Sequence, residues 1–329
     1  MRYRHGLVWG KFLPLHEGHS ALIRYATTRC AGVTVVLGAR HDEPIPRDVR
    51  HAWLAEAHPD VRVLSHWDDA PVDYDSPAAW DAHLAALRTV LPAGVDVVFT
   101  AEPYGAELAR RLGVAEVRLT RSNVSGAAVR ADPAAYWYRL PAPVRAWYCR
   151  RVVLVGAEST GTTTLAAALA AALGTAWVPE YGREWCEVRP GGLAAPWSSA
   201  EFDLIARRQA EREDAAAREV PVPWLVCDTD PLATAVWHER YVGSPSATVA
   251  AFAATRRPCR YVLTSDDVPF VQDGLRDGEH LRGWMTERFR AVLDGSGVPW
   301  VEVRGSVADR VAAALAELAA LGVKPRPAG

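Results

Sequence analysis

In roughly the first 145 residues, short apolar runs rich in β-branched side chains alternate with longer stretches of helical periodicity. This alternation is typical of a parallel sheet whose faces are covered by helices. The pattern predicts strands at His5–Trp9, Val33–Leu37, Val61–Leu64, Val95–Thr100 and Glu116–Leu119. Between these strands it predicts helices at Gly18–Arg29, Arg47–Ala57, Pro77–Leu91 and Tyr104–Leu112.

The same alternation restarts near Arg145–Arg151, which indicates a second unit of the α/β class. A buried-strand run at Arg151–Gly156 leads into a loop of glycine, serine and threonine and then into an Ala/Leu-rich helix. Later apolar runs predict strands at Trp224–Asp228, Tyr261–Thr264 and Pro299–Val303. We therefore expect one domain over residues 1–147, a second over 148–323 and a disordered tail over 324–329.

Composition narrows the class of protein and of partner. Of the 329 residues, 50% are hydrophobic and 23% are charged, which is ordinary for a globular protein. Because nucleic-acid backbones require concentrated positive charge, the formal net charge of −2 predicts no nucleic-acid partner. The most apolar run, Leu165–Leu173, is about half of the roughly 20 residues that a membrane-spanning helix needs, so no membrane partner is expected. Five scattered cysteines without C-x-x-C spacing fit reduced thiols and predict a cytoplasmic protein.

Two histidines follow the first predicted strand, in the segment Gly10–His19 (GKFLPLHEGH). His16 lies just before the predicted helix and His19 in its first turn, where free backbone N–H groups and the helix dipole favour anions. Gly10 allows an unusual backbone angle or the close approach of a phosphate. With Lys11 nearby, the segment predicts a triphosphate site whose donors stabilise charge during attack on an α-phosphate. An alternative stays open, in which the histidines bind a metal ion or lie in an ordinary loop.

This segment resembles the signature of the HxGH nucleotidyltransferases, specifically the nicotinamide-mononucleotide adenylyltransferase domain of the bifunctional NadR-type proteins. Similar segments follow at Arg47–Leu54, Thr100–Gly105, Val124–Arg130 and Pro133–Trp137. The resemblance implies a Rossmann-like fold that binds ATP. It implies catalytic roles for His16, His19 and Lys11 and nucleotide binding by Gly10, Phe12, Ser125 and Arg130. Ala127 departs from the family pattern, which often has threonine at this position.

A second phosphate-binding motif lies at Gly156–Thr164 (GAESTGTTT), between a predicted strand and helix. The glycines and exposed N–H groups of such a P-loop cradle phosphates, and Thr163 stands where a Mg²⁺-binding hydroxyl belongs. Thr162 occupies the position of the usual lysine, which removes the charge that bridges the β- and γ-phosphates. Nucleotide binding is nevertheless expected from Gly156, Ser159, Gly161, Thr162, Thr163 and Thr164. Either this unit only binds nucleotide, or another group supplies the charge for phosphoryl transfer.

The rest of the second unit resembles the ribosylnicotinamide kinase half of the same family. The matching segments are Pro179–Glu184, Cys227–Asp230 and Asp267–Arg276, followed by Arg282. Glu180, placed at the end of the second strand of this unit, is predicted to be a base, and Thr163 and Asp228 are predicted to hold Mg²⁺. Arg276 and Arg282 are expected in a polar segment that closes as a lid over the transferred phosphate. An aspartate at a strand end is also a common structural cap, so Asp228 keeps that alternative.

Together the motifs predict a two-domain enzyme of pyridine-nucleotide salvage that uses ATP and Mg²⁺. The second unit would phosphorylate ribosylnicotinamide, and the first would join the resulting nicotinamide mononucleotide to the AMP of a second ATP, giving NAD and pyrophosphate. Two alternatives stay open: a P-loop unit that senses nucleotide without kinase activity, and a different phosphorylated acceptor. Trp9, Trp53, Trp67 and Trp80 are candidates for stacking on a pyridine ring, although most are expected in the core.

The beginning of the chain and its assembly complete the sequence-based expectations. Some relatives carry a DNA-binding helix-turn-helix ahead of the adenylyltransferase. This chain begins at the first predicted strand, so we expect no helix-turn-helix here. The sequence does not decide the oligomeric state, and a homo-oligomer stays open.

Overall fold

A computed structural model of the chain describes residues 3–192, 194–256, 258–272, 274 and 277–322. Contacts within the chain divide it into two compact units, Met1–Tyr148 and Cys149–Gly329, and each unit has its own sheet. The predicted lid residue Arg276 and the tail predicted at 324–329 lie outside the described residues. Within the described ranges, no helix combines enough length with enough apolar side chains to traverse a lipid bilayer.

The sheet of the first unit has five parallel strands. They are β1 (Tyr3–Gly10), β2 (Cys30–Ala39), β3 (Arg62–Trp67), β4 (Val97–Thr100) and β5 (Ala115–Arg118), in the order β3-β2-β1-β4-β5. The helices are α1 (Glu17–Arg29), α2 (Arg47–Ala57), α3 (Pro77–Arg88), α4 (Gly105–Leu112), α5 (Gly126–Ala131) and α6 (Ala142–Tyr148). The strand order reverses between β1 and β4, and in open α/β sheets such a switch point is where ligands bind, at the carboxyl ends of the strands.

The core of the first unit joins its sheet to two helices. Leu7, Val36 and Val98 come from neighbouring strands, and they pack with Trp80, Leu84, Leu87 and Leu108 from α3 and α4. Burying one indole removes roughly 200 Å² from water, which contributes about 5 kcal/mol at 25 cal/mol per Å². This packing fixes the two strands whose carboxyl ends form the switch point.

Several predicted boundaries in this unit are displaced by two or three residues, and two of these shifts shorten a predicted element. α3 ends at Arg88 rather than at Leu91, because Pro92 disfavours helical geometry in the residue before it. β4 begins at Val97 rather than at Val95. Neither shift moves a predicted site residue.

The second unit is also built on five parallel strands. They are β6 (Arg150–Gly156), β7 (Trp177–Val178), β8 (Trp224–Asp228), β9 (Arg260–Thr264) and β10 (Trp300–Val303), in the order β10-β9-β6-β8-β7. The helices are α7 (Thr162–Leu173), α8 (Tyr181–Val188), α9 (Ser199–Glu219), α10 (Pro231–Val242), α11 (Ala247–Ala253), α12 (Arg282–Ser296) and α13 (Val307–Ala319). The P-loop therefore connects the central strand β6 to α7.

One prediction for this unit is wrong. Glu180 does not end the second strand, because β7 stops at Val178 and Glu180 is instead the N-cap residue of α8. Among the strands that the structure describes, β7 pairs only with β8 and is an edge strand, and edge strands are commonly short. The shift leaves Glu180 at the carboxyl edge of the sheet, now at the start of a helix.

Candidate nucleotide-binding sites

The residues predicted from the first motif lie together at the switch point of the first sheet. A cavity of about 570 Å³ opens there, beside the ends of β1 and β4. Its lining includes all seven predicted side chains or backbone segments: Gly10, Lys11, Phe12, His16, His19, Ser125 and Arg130. The turn after β1 and the start of α5 thus face one space, although they are far apart in sequence.

His16 and His19 form a stacked pair at the N-terminus of α1. His16 is the N-cap residue, and its Nδ1 accepts a hydrogen bond from the backbone N–H of Gly18 at 3.1 Å. The imidazole centroids of His16 and His19 are 3.8 Å apart, with an interplanar angle of 24°. Because Nδ1 of His16 accepts, the neutral ring carries its proton on Nε2. His19 Nδ1 is buried and has no hydrogen-bond partner among the described residues.

Both histidines are uncharged at neutral pH. The pKa of His16 is lowered to about 4, mainly by burial and also by the charge of Arg121, while the charge of Glu17 opposes the shift. The pKa of His19 is also lowered, first by burial and then by the charges of His16 and Arg121. The pair can therefore offer neutral N–H donors to an anion without mutual charge repulsion.

Lys11 is held by a buried acidic residue that the sequence analysis did not identify. Its Nζ lies 3.1 Å from Oε1 of Glu43, whose Oε2 accepts from Nη2 of Arg50 at 2.7 Å. Arg50 is fully buried and also donates from Nη1 to the backbone carbonyl of Lys11 at 2.8 Å. Burial alone would raise the pKa of Glu43, but the backbone N–H of Arg40 and the charges of Arg50 and Lys11 lower it. Glu43 therefore stays ionised and holds the ammonium group of Lys11, while Arg50 holds the backbone carbonyl of Lys11.

The start of α5 closes the other side of the cavity. Ser125 caps this helix by accepting from the backbone N–H of Ala128 at 3.2 Å, and Arg130 donates from Nη1 to the carbonyl of Leu13 at 2.5 Å. Ala127 is exposed and lines the cavity, without a hydroxyl to offer. A helix start, a serine and an arginine thus meet the loop that carries the histidines.

The unusual backbone angle expected at Gly10 occurs at Phe12 instead. Phe12 has φ 46°, whereas Gly10 has no positive φ, so the first of the two expectations for Gly10 is wrong. The ring of Phe12 is buried and packs edge-on against His19 at a centroid distance of 5.1 Å. The left-handed residue of this turn is therefore Phe12, whose ring packs against His19.

The far end of the same cavity is aromatic. Trp9, Tyr74, His83 and Tyr104 line it, and the rings of Trp9 and Tyr104 meet edge-on at 6.0 Å. Nδ1 of His83 lies 2.8 Å from both carboxylate oxygens of Asp68. Of the four tryptophan candidates, Trp9 lines the cavity, Trp53 and Trp80 are core residues, and Trp67 is 40% exposed beside His41.

The P-loop of the second unit curls around a smaller cavity of about 130 Å³. Ser159 and Gly161 have φ of 58° and 84°, so the loop turns through left-handed geometry before α7 begins. Gly156 has no room for a side chain, because a Cβ there would lie 2.2 Å from Oγ1 of Thr264. Among the predicted residues, Gly156, Ser159, Thr162, Thr163, Glu180 and Asp228 line the cavity. Three other predicted residues, Gly161, Thr164 and Arg282, are not among the described residues that line this cavity.

Thr163 and Asp228 lie together at the start of α7. Thr163 Oγ1 donates to Oδ2 of Asp228 at 2.6 Å, and Asp228 is only 2% exposed. Burial raises the pKa of Asp228, while hydrogen bonds from Thr163 and Thr162 and the charge of Arg183 oppose the rise. A hydroxyl and a carboxylate oxygen are ligands that Mg²⁺ accepts when phosphates and waters complete its coordination. No group of three or more His, Cys, Asp and Glu residues in the described part of the chain forms a metal site by protein ligands alone.

Arg282 braces the P-loop from a neighbouring segment. It is the first residue of α12 and donates from Nη2 to the carbonyl of Val268 at 2.8 Å and to that of Ser159 at 3.5 Å. The other predicted lid residue, Arg276, lies outside the described residues. The arrangement around Arg282 is one of backbone support for the loop.

Arg310 supports the P-loop from α13 and was missed by the sequence analysis. It is 3% exposed in α13 and donates to the carbonyls of Thr160 and Gly305 and to Oδ1 of Asp267. A signal was present, because Arg310, Ala314 and Leu318 share one face of the helix at four-residue spacing and are all buried. An arginine on the apolar face of a helix needs buried acceptors, and here they belong to the nucleotide loop.

Comparisons with known proteins cover both units. Residues 151–310 match the model of an AAA domain family. The chain is 28% identical over 295 residues to "Trifunctional NAD biosynthesis/regulator protein NadR" of Escherichia coli K12, covering 82% of this chain and 71% of that protein. The protein of the same description from Salmonella typhimurium LT2 gives the same identity and coverage.

Two solved structures share the fold over nearly the whole chain. A crystal structure of NadR protein in complex with NR is 20% identical, with a TM-score of 0.78, covering 100% of this chain and 99% of the other. A NadR structure in complex with NAD and AMP-PNP is also 20% identical, with a TM-score of 0.74, covering 99% and 98%. The expected fold class, two α/β units with parallel sheets and a P-loop in the second, is confirmed. The chain is thus similar to the NadR proteins over 82% of its length, and the resemblance predicted from the motifs is confirmed.

Proposed function

We propose that the chain is a bifunctional enzyme of NAD salvage. The first unit, residues 1–147, transfers the AMP moiety of ATP to nicotinamide mononucleotide, and the second, residues 148–323, phosphorylates ribosylnicotinamide with ATP. The observation that carries the proposal is the cavity in which His16, His19, Lys11 and Arg130 converge beside the N-terminus of α1. Imidazole, ammonium and guanidinium groups can stabilise the negative charge that develops during transfer at an α-phosphate.

The adenylyl transfer follows from the arrangement of donors. An oxygen of the acceptor phosphate attacks the α-phosphorus of ATP, the bond to the bridging oxygen breaks, and pyrophosphate leaves with the electron pair. The neutral N–H groups of His16 and His19 stabilise charge on the non-bridging oxygens, as preorganised donors do in other transfer reactions. Lys11, fixed by Glu43, and Arg130 hold the departing phosphates.

The nicotinamide acceptor is supported by the relatives and by the aromatic end of the cavity. The Escherichia coli relative is described as a NAD biosynthesis and regulator protein, and one solved relative holds NAD. Trp9 and Tyr104 offer ring surfaces on which a pyridine can stack. A different phosphorylated acceptor, such as nicotinate mononucleotide, is the competing assignment for this unit.

The second unit would carry out phosphoryl transfer to a hydroxyl. Thr163 and Asp228 would hold Mg²⁺, which supplies neutralisation of the phosphate charge when bound. Glu180 lines the same cavity and accepts the proton of the acceptor hydroxyl in this proposal. The aromatic residues Trp197 and Tyr241, 5.0 Å apart between ring centroids, form the opposite wall where a nucleoside would lie.

One observation favours a second candidate for this unit, a nucleotide sensor without turnover. Thr162 replaces the lysine of the usual P-loop, and the lining carries the carboxylates of Glu158, Glu180 and Asp228. Acidic groups without a compensating lysine weaken the case for catalysis at the γ-phosphate. The sensor and the kinase predict different outcomes in one assay.

The test is NAD formation by the purified chain with ATP, Mg²⁺ and either ribosylnicotinamide or nicotinamide mononucleotide. We expect NAD from both. His19→Ala should lower the rate from the mononucleotide by about 10²–10³-fold, because one preorganised donor is lost. Asp228→Asn should stop NAD formation from ribosylnicotinamide and leave NAD formation from the mononucleotide unchanged. His41→Ala, at an exposed histidine outside the cavity, is the control.

The possible outcomes separate the proposals. The absence of pyrophosphate release from ATP and nicotinamide mononucleotide would contradict the first assignment. NAD from the mononucleotide alone would support the sensor over the kinase. A higher kcat/KM for nicotinate mononucleotide would reassign the acceptor while leaving the reaction type unchanged.

A further inference from the structure

Trp9 presents an indole ring at the aromatic end of the first cavity, and a residue outside the cavity contacts that ring. The indole is half-buried, packs against the core around Leu7 and Trp80 and also lines the cavity. Its Nε1–H donates to Nε2 of His66 at 3.2 Å. His66 is 4% exposed and is not among the described residues that line the cavity. Any effect of His66 on the cavity is therefore exerted through a neighbour such as Trp9.

The hydrogen-bond partners of His66 define its tautomer. An indole N–H can only donate, so Nε2 of His66 carries no proton. Nδ1 lies 3.3 Å from the backbone carbonyl of Trp67, which can only accept, so the ring proton is on Nδ1. Burial lowers the pKa of His66, the Trp67 carbonyl and the charge of Asp68 oppose this shift, and the charge of His83 adds to it. The imidazole is therefore a neutral acceptor at neutral pH.

Three neighbouring strands are arranged so that this hydrogen bond can form. Trp9 lies on β1, His66 on β3 and Gly38 on β2 between them. Gly38 is the register partner of His66, and a Cβ at Gly38 would lie 3.1 Å from Nε1 of Trp9 and 3.4 Å from Nε2 of His66. A side chain there would crowd the indole and touch the imidazole. The glycine thus leaves the space above β2 in which the two rings meet.

The other ring contacts of Trp9 do not give the indole a direction. The rings of His83 and Tyr104 meet it edge-on at centroid distances of 6.2 Å and 6.0 Å. The hydroxyl of Tyr104 donates to the backbone carbonyl of Trp9 at 3.4 Å, which leaves the side chain free to turn. The torsion that turns an aromatic ring is roughly two-fold, and only one of its two settings directs Nε1 toward His66. The hydrogen bond therefore selects one orientation of the indole.

We propose that His66 is a positioning residue for the acceptor, fixing through Trp9 the ring surface on which the acceptor's pyridine binds. This rests on the adenylyl transfer to nicotinamide mononucleotide proposed above. The pyridine nitrogen of that acceptor is bonded to ribose, so the ring carries a positive charge. A cation is attracted to the face of an indole rather than to its edge. The orientation of Trp9 therefore sets how much of this attraction the acceptor gains, although His66 contacts neither substrate.

The test separates the hydrogen bond from the bulk of the two rings. His66→Leu removes the acceptor, His66→Gln returns an oxygen near the position of Nε2, and Trp9→Phe removes the donor but keeps an aromatic ring. The KM for nicotinamide mononucleotide, the KM for ATP and kcat are measured on the full chain for each variant and for His66→Leu/Trp9→Phe. His5→Leu is the matched control, at a half-buried histidine of β1 whose Nε2 lies 2.8 Å from Oγ1 of Thr34, outside the described lining.

The expected effect falls on one kinetic constant. His66→Leu should raise the KM for the mononucleotide about three- to tenfold, because one hydrogen bond that orders the acceptor's binding surface is lost. The KM for ATP and kcat should change less than about twofold, since only binding of the acceptor is weakened. His66→Gln should return the first constant to within about twofold of the wild type. In the Trp9→Phe background His66→Leu should have no further effect, because the donor is already absent.

Each outcome decides the assignment. A rise in the KM for the mononucleotide that His66→Gln reverses and that vanishes in the Trp9→Phe background supports the positioning role. An unchanged KM in His66→Leu would overturn it. Equal losses for ATP and the mononucleotide, or the same loss in His5→Leu, or a full effect of His66→Leu in the Trp9→Phe background, would show a role in the fold and also overturn it.

Failure of the proposed function is a separate result. If the wild-type chain releases no pyrophosphate from ATP and nicotinamide mononucleotide, equilibrium binding of the mononucleotide is compared in the same variants. Weaker binding in His66→Leu that His66→Gln restores supports the role of His66. Unchanged affinity in His66→Leu, or no binding by the wild-type chain, overturns it.

Discussion

The two cavities proposed to bind a triphosphate have opposite charge patterns. The cavity of the first unit is lined by the cations Lys11, Arg121 and Arg130, opposed by Asp68 and Glu102. The P-loop cavity of the second unit has Arg183 as its one described cation, opposed by three carboxylates. In the proposed functions, the first cavity therefore attracts a polyanion with its own side chains, whereas the second relies on metal charge and on backbone N–H groups.

The two sites also differ in which groups are held in place by buried residues. In the first unit the charged side chain itself is braced, since Glu43 and the fully buried Arg50 hold Lys11 at its side chain and at its backbone. In the second unit the backbone is braced, since Arg310 holds the P-loop carbonyl of Thr160. A charge-based site is sensitive to buried ion pairs and to pH, and a backbone-based site is less so.

The strongest way to break this contrast is to remove the brace beneath Lys11. Arg50→Met leaves the ionised Glu43 buried without its main partner, which should destabilise the first unit by about 3–5 kcal/mol. Urea unfolding followed by tryptophan fluorescence measures the loss. The KM for ATP in adenylyl transfer should rise as well, because Lys11 loses its fixed position.

The double variant Glu43→Gln/Arg50→Met supplies the control. Removing the buried charge together with its partner should recover part of the stability, although Lys11 stays unanchored. Equal destabilisation of the single and double variants would contradict the view that an unpaired carboxylate causes the loss. Phosphorylation of ribosylnicotinamide should be unaffected in both.

The next largest effect is expected in an acid titration, which tests the pH sensitivity of the first unit. The folded-state pKa of His16 is lowered to about 4 from 6.5, so the unfolded chain binds the proton first as the pH falls. Stability is therefore unaffected above pH 6.5 and is lost progressively toward pH 4, by about 3 kcal/mol in total for this group. His16→Asn keeps an N-cap acceptor but cannot titrate. The free energy of unfolding of the wild type should thus fall more steeply than that of the variant between pH 6.5 and 4. Parallel pH profiles would mean that His16 is not held neutral.

The smallest expected effect concerns the cavity rim. Ala127 is exposed at the start of α5 and lines the first cavity. Ala127→Thr adds one hydroxyl beside the phosphates, and one net hydrogen bond of about 0.5–1.5 kcal/mol should lower the KM for ATP roughly two- to tenfold. Ala127→Val has the same shape without the hydroxyl and should give no gain. Equal KM changes in both variants would point to shape rather than hydrogen bonding.

Most of the fold could be predicted from the sequence because each buried parallel strand is a short contiguous apolar run. The apolar run Val33–Leu37 lies inside β2, and the run Trp224–Asp228 coincides with β8. Both are inner strands of a parallel sheet, which are buried on both faces and therefore apolar throughout. The bounds of the short edge strand β7 were not predicted, because two residues are too few to show the alternation of apolar and polar side chains that marks a strand. The helices α10 to α13 were also missed. α10 had a readable start, since Asp230 accepts from the N–H groups of Leu232 and Ala233 ahead of a first-turn proline.

The candidate sites were predictable only as far as their motifs are contiguous. His16, His19 and Lys11 are close in sequence, so one turn brings them to one cavity. Glu43 is separated from Lys11 by a strand and a helix, and no local pattern links the two before the sheet is assembled. The roles proposed for the site residues remain predictions that the assays above are designed to decide.

The grip of Arg310 on the P-loop has a consequence for biogenesis. The P-loop carbonyl of Thr160 accepts a hydrogen bond from Arg310, which follows 150 positions later in the last helix described. The residues proposed for the first cavity are all complete once Arg130 has been made. Since chains emerge from the ribosome N-terminus first, at about 5–20 residues per second, the first nucleotide pocket can mature during translation. The second can be finished only when synthesis of α13 is over, so a truncated nascent chain would bind nucleotide at one site and not at the other.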